Sequence, residues 1–218
     1  MGQKHWSTEA FFYHMYPLGQ CGGPHTAGPD EPVVARIREL ESWLPHTRSL
    51  GADTLLLGPV FASGSHGYDT SDLYRIDPRL GSNADFAGFC RAARAAGFRI
   101  VLDGVFHHVG RAHGKFRELQ ERGQESGAQE WFSGVDFSRR SSHGDAFAYD
   151  GWNGHYSLVK LKLENPEVRE HLFSAIRMWV QEFGIDGLRL DAADCLPGWF
   201  LEELAAFCRV LKPDFWLL

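Results

Sequence analysis

The stretch Gly184-Ile185-Asp186-Gly187-Leu188-Arg189-Leu190-Asp191 decides the fold. Residues 187–190 read as a short buried strand that ends on charged side chains. Immediately before it, residues 166–183 open on Pro166 and place Val168, Leu172, Ile176, Trp179 and Val180 along one stripe, with Gly184 closing the segment, as an amphipathic helix requires. A helix that feeds a buried strand is the unit of a parallel sheet, because parallel neighbours need a long crossover connection that is usually helical. Side chains alternate along a strand, so Arg189 and Asp191, two residues apart, share a face.

The same alternation extends in both directions. Toward the N-terminus, residues 11–16 form an apolar and aromatic run stopped by Pro17 and the glycines at 19–23, which predicts a first strand. Residues 32–50 carry apolar side chains at helical spacing, with Pro45 expected to kink or split the segment. Residues 54–57 predict a second buried strand that opens into a loop through 63–72. A helix begins at Asn83 and ends at Gly97. Residues 98–105 predict a third strand, and residues 199–211 a helix after the fourth strand at 187–190. Residues 215–218 form an apolar run that predicts a fifth strand.

Residues 106–162 are polar and glycine-rich, with one helix-like stretch at 114–122. They are too long for a simple connection, and a small inserted subdomain is expected there. Strand and helix in alternation leave two α/β architectures, a doubly wound sheet or a (β/α)8 TIM barrel. Five strand–helix units are about five eighths of a barrel of roughly 250 residues. The expectation is therefore a barrel truncated after about the fifth strand. Residues 1–105 would be its first part, 106–162 the inserted subdomain and 163–218 the continuation. Such a piece is expected to self-associate through its unpaired barrel edges.

The 218 residues carry 22 Lys plus Arg against 28 Asp plus Glu, a formal net charge of −6, and no dense basic run. That balance argues against nucleic acid and anionic membrane as partners. No apolar stretch approaches the roughly 20 residues that cross a bilayer, and residues 1–6 lack the apolar core of a secretory signal, so a cytoplasmic location is expected. Cys21, Cys90, Cys195 and Cys208 are widely spaced and read as free thiols.

Ligands of parallel α/β folds bind at the carboxyl ends of the strands. Those ends are polar here: Ser65-His66-Gly67-Tyr68-Asp69 after the second strand, Asp103, His107 and His108 at the end of the third, Arg189 and Asp191 at the fourth. A carboxylate that attacks carbon must be ionised. An adjacent guanidinium favours that form and would orient it through a two-pronged contact. A purely structural ion pair accounts for the same spacing.

Asp103-Gly104-Val105-Phe106-His107-His108, residues 184–191, His66-Gly67-Tyr68-Asp69 and Leu158-Val159-Lys160-Leu161, in this order, together resemble the signatures of the α-amylase family of glycoside hydrolases, glycoside hydrolase family 13. The last segment has the lysine form of neopullulanase-like and oligo-1,6-glucosidase-like members. The resemblance implies that Asp191 is the nucleophile of a retaining mechanism, forming a covalent glycosyl intermediate, and that Arg189 holds it ionised. It also implies that His108 bonds sugar hydroxyls, that Tyr68 stacks on the same sugar, and that Asp103 supports the site. Asp69 and His66 would complete the substrate-binding loop, Asp69 chiefly by shaping it.

The implied activity is hydrolysis or transglycosylation at α-glucosidic bonds of an α-linked glucan or oligosaccharide. In the family the general acid lies at the end of the fifth strand, where residues 215–218 stand, and Asp194, Glu202 and Glu203 are not placed opposite Asp191. The chain alone is thus expected to be inactive. A non-catalytic amylase-like barrel serving as a binding or partner domain is the alternative.

Three departures matter. His107 stands where the family carries a calcium-ligating Asn, and Lys160 where many calcium-dependent members carry Asp, so neither calcium nor any other cofactor is expected. Zinc at His107, His108 and His113 is disfavoured, because adjacent histidines on a strand face opposite sides and no HExxH motif occurs. Asp194-Cys195 replaces the family's Lys-His, which leaves acceptor contacts open. Trp131, Trp152 and Trp199 could be sugar platforms, with packing the favoured role. No G-x-S-x-G elbow or G-x-G-x-x-G loop points to another hydrolase or a dinucleotide enzyme.

Overall fold

The computed structural model describes residues 4–28 and 30–218. Its centre is a sheet of five parallel strands, β1 (Phe12–Met15), β2 (Thr54–Leu57), β5 (Arg99–Gly104), β9 (Gly187–Leu190) and β10 (Trp216–Leu217), in that spatial order. Each strand lies beside the next parallel one along the chain. A doubly wound sheet reverses direction at a switch point, whereas a (β/α)8 barrel advances one neighbour at a time, so the observed order is that of a barrel wall. Leu55, Leu57, Ile100, Val101, Leu102 and Leu188 are fully buried, as expected for parallel strands covered on both faces.

The crossovers carry α1 (Pro17–Gln20), α2 (Leu44–Ser49), α3 (Asn83–Ala95), α4 (Gly114–Arg122), α5 (Pro166–Met178) and α6 (Gly198–Leu211). α3 shows how local chemistry sets an end. The Ser82 hydroxyl accepts from the Asp85 amide while the Asp85 carboxylate accepts from the Ser82 amide, a reciprocal cap for two otherwise orphan donors. Its buried residues Phe86, Phe89, Cys90 and Ala93 recur at three- and four-residue spacing and face the sheet.

Three expectations need correction. Residues 32–50 hold no long helix: a 3-10 segment, Arg36–Trp43, leads into α2, where Pro45 sits in the first turn and so breaks no hydrogen bond. The loop expected through 63–72 is instead part of an antiparallel hairpin, β3 (Phe61–Ser63) with β4 (Thr70–Ile76). Its register shifts hide the period-two pattern that would have revealed it. The helix expected to run evenly to residue 183 widens into a π turn at Trp179–Phe183. There Trp179 is fully buried, donates to the Leu73 carbonyl at 2.8 Å and stacks on Phe61.

Between β5 and α5, residues 106–162 contain α4 and a three-stranded antiparallel sheet of β6 (His108–Gly110), β8 (His155–Lys160) and β7 (Gly151–Trp152). Their buried Phe116, Phe132, Phe147 and Tyr149 are continuous with the core under the parallel sheet. β7 and β8 meet at Asn153-Gly154, both with positive φ (46° and 80°), the two-residue turn whose twist matches a hairpin. The four cysteines are free, and burial pushes the Cys21, Cys90 and Cys208 thiols up to about 12. No described helix is long and apolar enough to cross a membrane.

Candidate active site

The carboxyl ends of β5 and β9 lie side by side, with Asp103 opposite Arg189 in the parallel register. Arg189 Nη1 donates to Asp191 Oδ1 at 2.9 Å and to Asp103 Oδ1 at 3.2 Å. The expected two-pronged grip on Asp191 is therefore not formed: one nitrogen serves both carboxylates. Immediately after Asp191 the chain turns at Ala192, whose φ of 48° is unusual for a residue with a Cβ and costs on the order of 1 kcal/mol. Asp191 and Ala192 both line a cleft of about 420 Å³.

Tyr68 reaches this cleft on the loop between β3 and β4. Gly67 there has φ of 96°, and a Cβ on it would lie 2.6 Å from Pro59 Cβ, so glycine is required both by backbone angle and by close approach. The Tyr68 hydroxyl donates to Asp103 Oδ2 at 3.0 Å. Asp103 is almost wholly buried. Desolvation raises its pKa above the ordinary carboxylate value, opposed by Arg189 and by the Tyr68 hydrogen bond. Burial, and after it the Asp103 charge, raises the Tyr68 phenol above its ordinary value, which keeps the hydroxyl a donor.

His66, Tyr68, His108 and Asp191 thus converge on one cleft. Asp103, Arg189 and Asp69 are not among its lining residues. Asp69 accepts from the Ser65 amide at 3.2 Å and the Ser65 hydroxyl at 2.9 Å, and so shapes the loop that carries Tyr68.

His107 and His108 do not diverge as strand alternation suggested. His107 precedes β6, and the two Nδ1 atoms approach to 3.3 Å, so one ring donates and the other accepts. Burial lowers both imidazoles to about 4, which leaves them neutral near pH 7.

Sequence reading gave no site role to Trp152, His155, Ser157, Leu158 or Ala192, which also line the cleft. Trp152, for which packing was favoured, lines the cleft with His155, and the two rings stack across the Asn153-Gly154 turn with centroids 5.7 Å apart. The Asn-Gly pair was the available signal. Trp152 Nε1 and His108 Nε2 are buried with no hydrogen-bond partner among the described residues, the condition of polar atoms suited to a hydroxylated ligand. Trp131 is buried, and Trp199 is an exposed ring under Arg169. Asp191 is the only carboxylate lining the cleft among the described residues. Glu203 instead pairs with Arg169 at 3.1 Å. No group of three or more His, Cys, Asp or Glu able to hold a metal ion occurs among the described residues.

The alpha-amylase catalytic-domain family matches residues 38–204. Neopullulanase 2 of Thermoactinomyces vulgaris is 33% identical over 228 residues, covering 96% of this chain and 38% of that protein. Intracellular maltogenic amylase of Bacillus subtilis is 32% identical over 227 residues, covering 98% and 38%. Among solved structures, cyclic alpha-maltosyl-(1→6)-maltose hydrolase from Arthrobacter globiformis, in complex with maltose, superposes with a TM-score of 0.84 at 31% identity, covering 98% of this chain and 51% of that one. The chain spans less than two fifths of the length of these two curated relatives. By sequence and by fold, this chain belongs to the α-amylase family of glycoside hydrolases.

Proposed function

We propose that the cleft binds an α-linked glucan or oligosaccharide and that Asp191 is the nucleophile of a retaining glycosidase or transglycosylase. A carboxylate held 2.9 Å from a guanidinium at the mouth of a sugar-sized cleft, flanked by an aromatic ring and an unpaired imidazole nitrogen, is the observation that carries this reading. Asp191 attacks the anomeric carbon, the bond to the leaving glucosyl oxygen breaks, and that oxygen takes a proton from an acid. Water or a sugar hydroxyl then displaces Asp191. Arg189 orients the attacking oxygen, His108 meets a ring hydroxyl through Nε2, and Tyr68 presents its ring to the sugar at the reacting bond while Asp103 holds its hydroxyl. His66 completes the wall beside Tyr68, and Asp69 sets that loop.

A retaining pair needs two carboxyl groups about 5 Å apart, and the described cleft supplies one. We infer that residues 1–218 alone are inactive and that a further carboxyl must join the site for catalysis. General-acid assistance is worth on the order of 10²–10⁴ in rate. Calcium has no place in this mechanism. His107 offers an imidazole, and Lys160, the register partner of His108, brings a positive charge close enough to lower the His107 pKa further, where a hard cation needs oxygen ligands.

The test is turnover by the complete protein on maltooligosaccharides, pullulan, cyclomaltodextrins and α-linked disaccharides, with the product anomer followed by NMR. Retained α-configuration supports the reading. Tight binding without turnover would instead support a non-catalytic binding barrel.

A further inference from the structure

Asp77 and Arg79 form an ion pair with no exposed side-chain surface, set behind the loop that carries Tyr68. Arg79 Nε and Nη2 donate to the two oxygens of Asp77 at 2.8 and 2.7 Å. Nη2 also donates to Ser63 Oγ at 2.8 Å. Nη1 donates to the carbonyl of Ser65 at 2.7 Å and to those of Pro24 and His25 at 3.0 and 3.3 Å. Every nitrogen of the guanidinium is engaged.

A buried ion pair is a poor source of net stability, because desolvation offsets most of the attraction. Its surer effect is geometric, and here the geometry points at the cleft. Ser65 is held from the core by Arg79 through its carbonyl, and from the loop itself by Asp69 through its amide and hydroxyl. One residue on, the Tyr16 hydroxyl donates to the His66 carbonyl at 2.9 Å. Between these anchors and Asp103 the loop has little freedom, and Tyr68 rides on it.

We propose that Arg79, oriented by Asp77, is a positioning residue for the candidate site. It fixes the Ser65–Tyr68 turn so that Tyr68 faces the bound sugar and keeps its hydroxyl on Asp103. The assignment rests on reading the cleft as an α-glucan site. Lysine cannot replace Arg79, because three donors on a point charge cannot reproduce a planar fork that spans a carboxylate, a hydroxyl and three carbonyls.

The experiment is a double-mutant cycle in the complete protein, Arg79→Lys with Tyr68→Ala, read by kcat/KM on maltotriose and by hydrogen exchange. Arg79→Lys is expected to lower kcat/KM by about tenfold or more alone and by less than about twofold in the Tyr68→Ala background, since coupled residues are non-additive. The amides of Ser65 and Tyr68 should exchange about tenfold faster while those of β1 and β2 hold. Equal losses in both backgrounds, or faster exchange shared by β1 and β2, mean a purely architectural pair and overturn the proposal. If the wild-type protein neither binds nor turns over any α-glucan, the cleft reading fails and this inference with it. Turnover with an additive cycle removes only the role of Arg79. Should Arg79→Lys not fold, Ser63→Ala, which deletes one acceptor of the fork and one hydroxyl donor to Asp77 but keeps the ion pair, is read by the same two measurements, with a smaller loss expected.

Discussion

Asp103 on β5 and Arg189 on β9 are register partners, and their side chains close to 3.2 Å across the ladder. Two residues 86 apart in sequence thus form one unit. Arg189 reaches forward along its own strand to Asp191, and Asp103 reaches back to Tyr68, so four side chains from three segments are joined by three hydrogen bonds. The unit places one buried acid behind a cation and one accessible acid in front of it. Of the two, only Asp191 lines the cleft.

Asp191→Asn should therefore abolish turnover of maltooligosaccharides by the complete protein, by on the order of 10⁴-fold or more, while leaving the thermal midpoint nearly unchanged because the amide still accepts from Arg189. Steady-state kinetics beside a melting curve checks this. Turnover within tenfold of wild type would reassign the nucleophile.

Gly67→Ala should displace the Tyr68 loop. The new Cβ meets Pro59 at 2.6 Å, and the backbone sits at φ of 96°. A loss of about 1–3 kcal/mol in stability is expected, accompanied by weaker maltotriose binding in calorimetry. A variant with wild-type affinity would show that the loop does not need this turn to present Tyr68.

Trp152→Ala should weaken maltotriose binding by about tenfold, through loss of an aromatic contact and an indole donor, with Trp152→Phe intermediate. Titration calorimetry on both variants separates stacking from hydrogen bonding. Unchanged affinity in Trp152→Ala would return this residue to a packing role.

Stability should fall on mild acidification. His107, His108 and His113 are lowered to about 4 by burial, against about 6.5 in an unfolded chain. Between those values the unfolded state binds more protons, so the stability tied to neutral imidazoles is complete above about pH 6.5 and is lost toward pH 4. The slope is at most about 1.4 kcal/mol per pH unit for each histidine. Asp103 acts in the opposite sense, since its raised pKa favours the protonated form in the fold. Denaturant titrations from pH 7 to 4 should show the histidine slope, and His113→Asn should reduce it.

The alternation of strand and helix was readable from local periodicity alone. Residues 54–57, 114–122 and 187–190 form the expected elements at the expected bounds, because uninterrupted apolar runs, helical spacing and glycine stops are properties of neighbours in sequence. The closeness of Arg189 and Asp191 was equally legible, since residues two apart at a strand end share a face, and the 2.9 Å contact follows; their catalytic roles were implied by the family resemblance. What the linear chain leaves open is which distant segments meet. The polar strand Thr70–Ile76 has a mixed burial pattern that alternation cannot reveal. The sharing of Arg189 between two acids depends on a cross-strand register, and the paired rings of His107 and His108 on β6 beginning only at His108, so that His107 is outside the strand. Trp152 enters the cleft because an Asn-Gly turn points its hairpin there. Composition and period set which elements form, whereas register, turn geometry and the approach of one loop to another set which side chains face the same empty space.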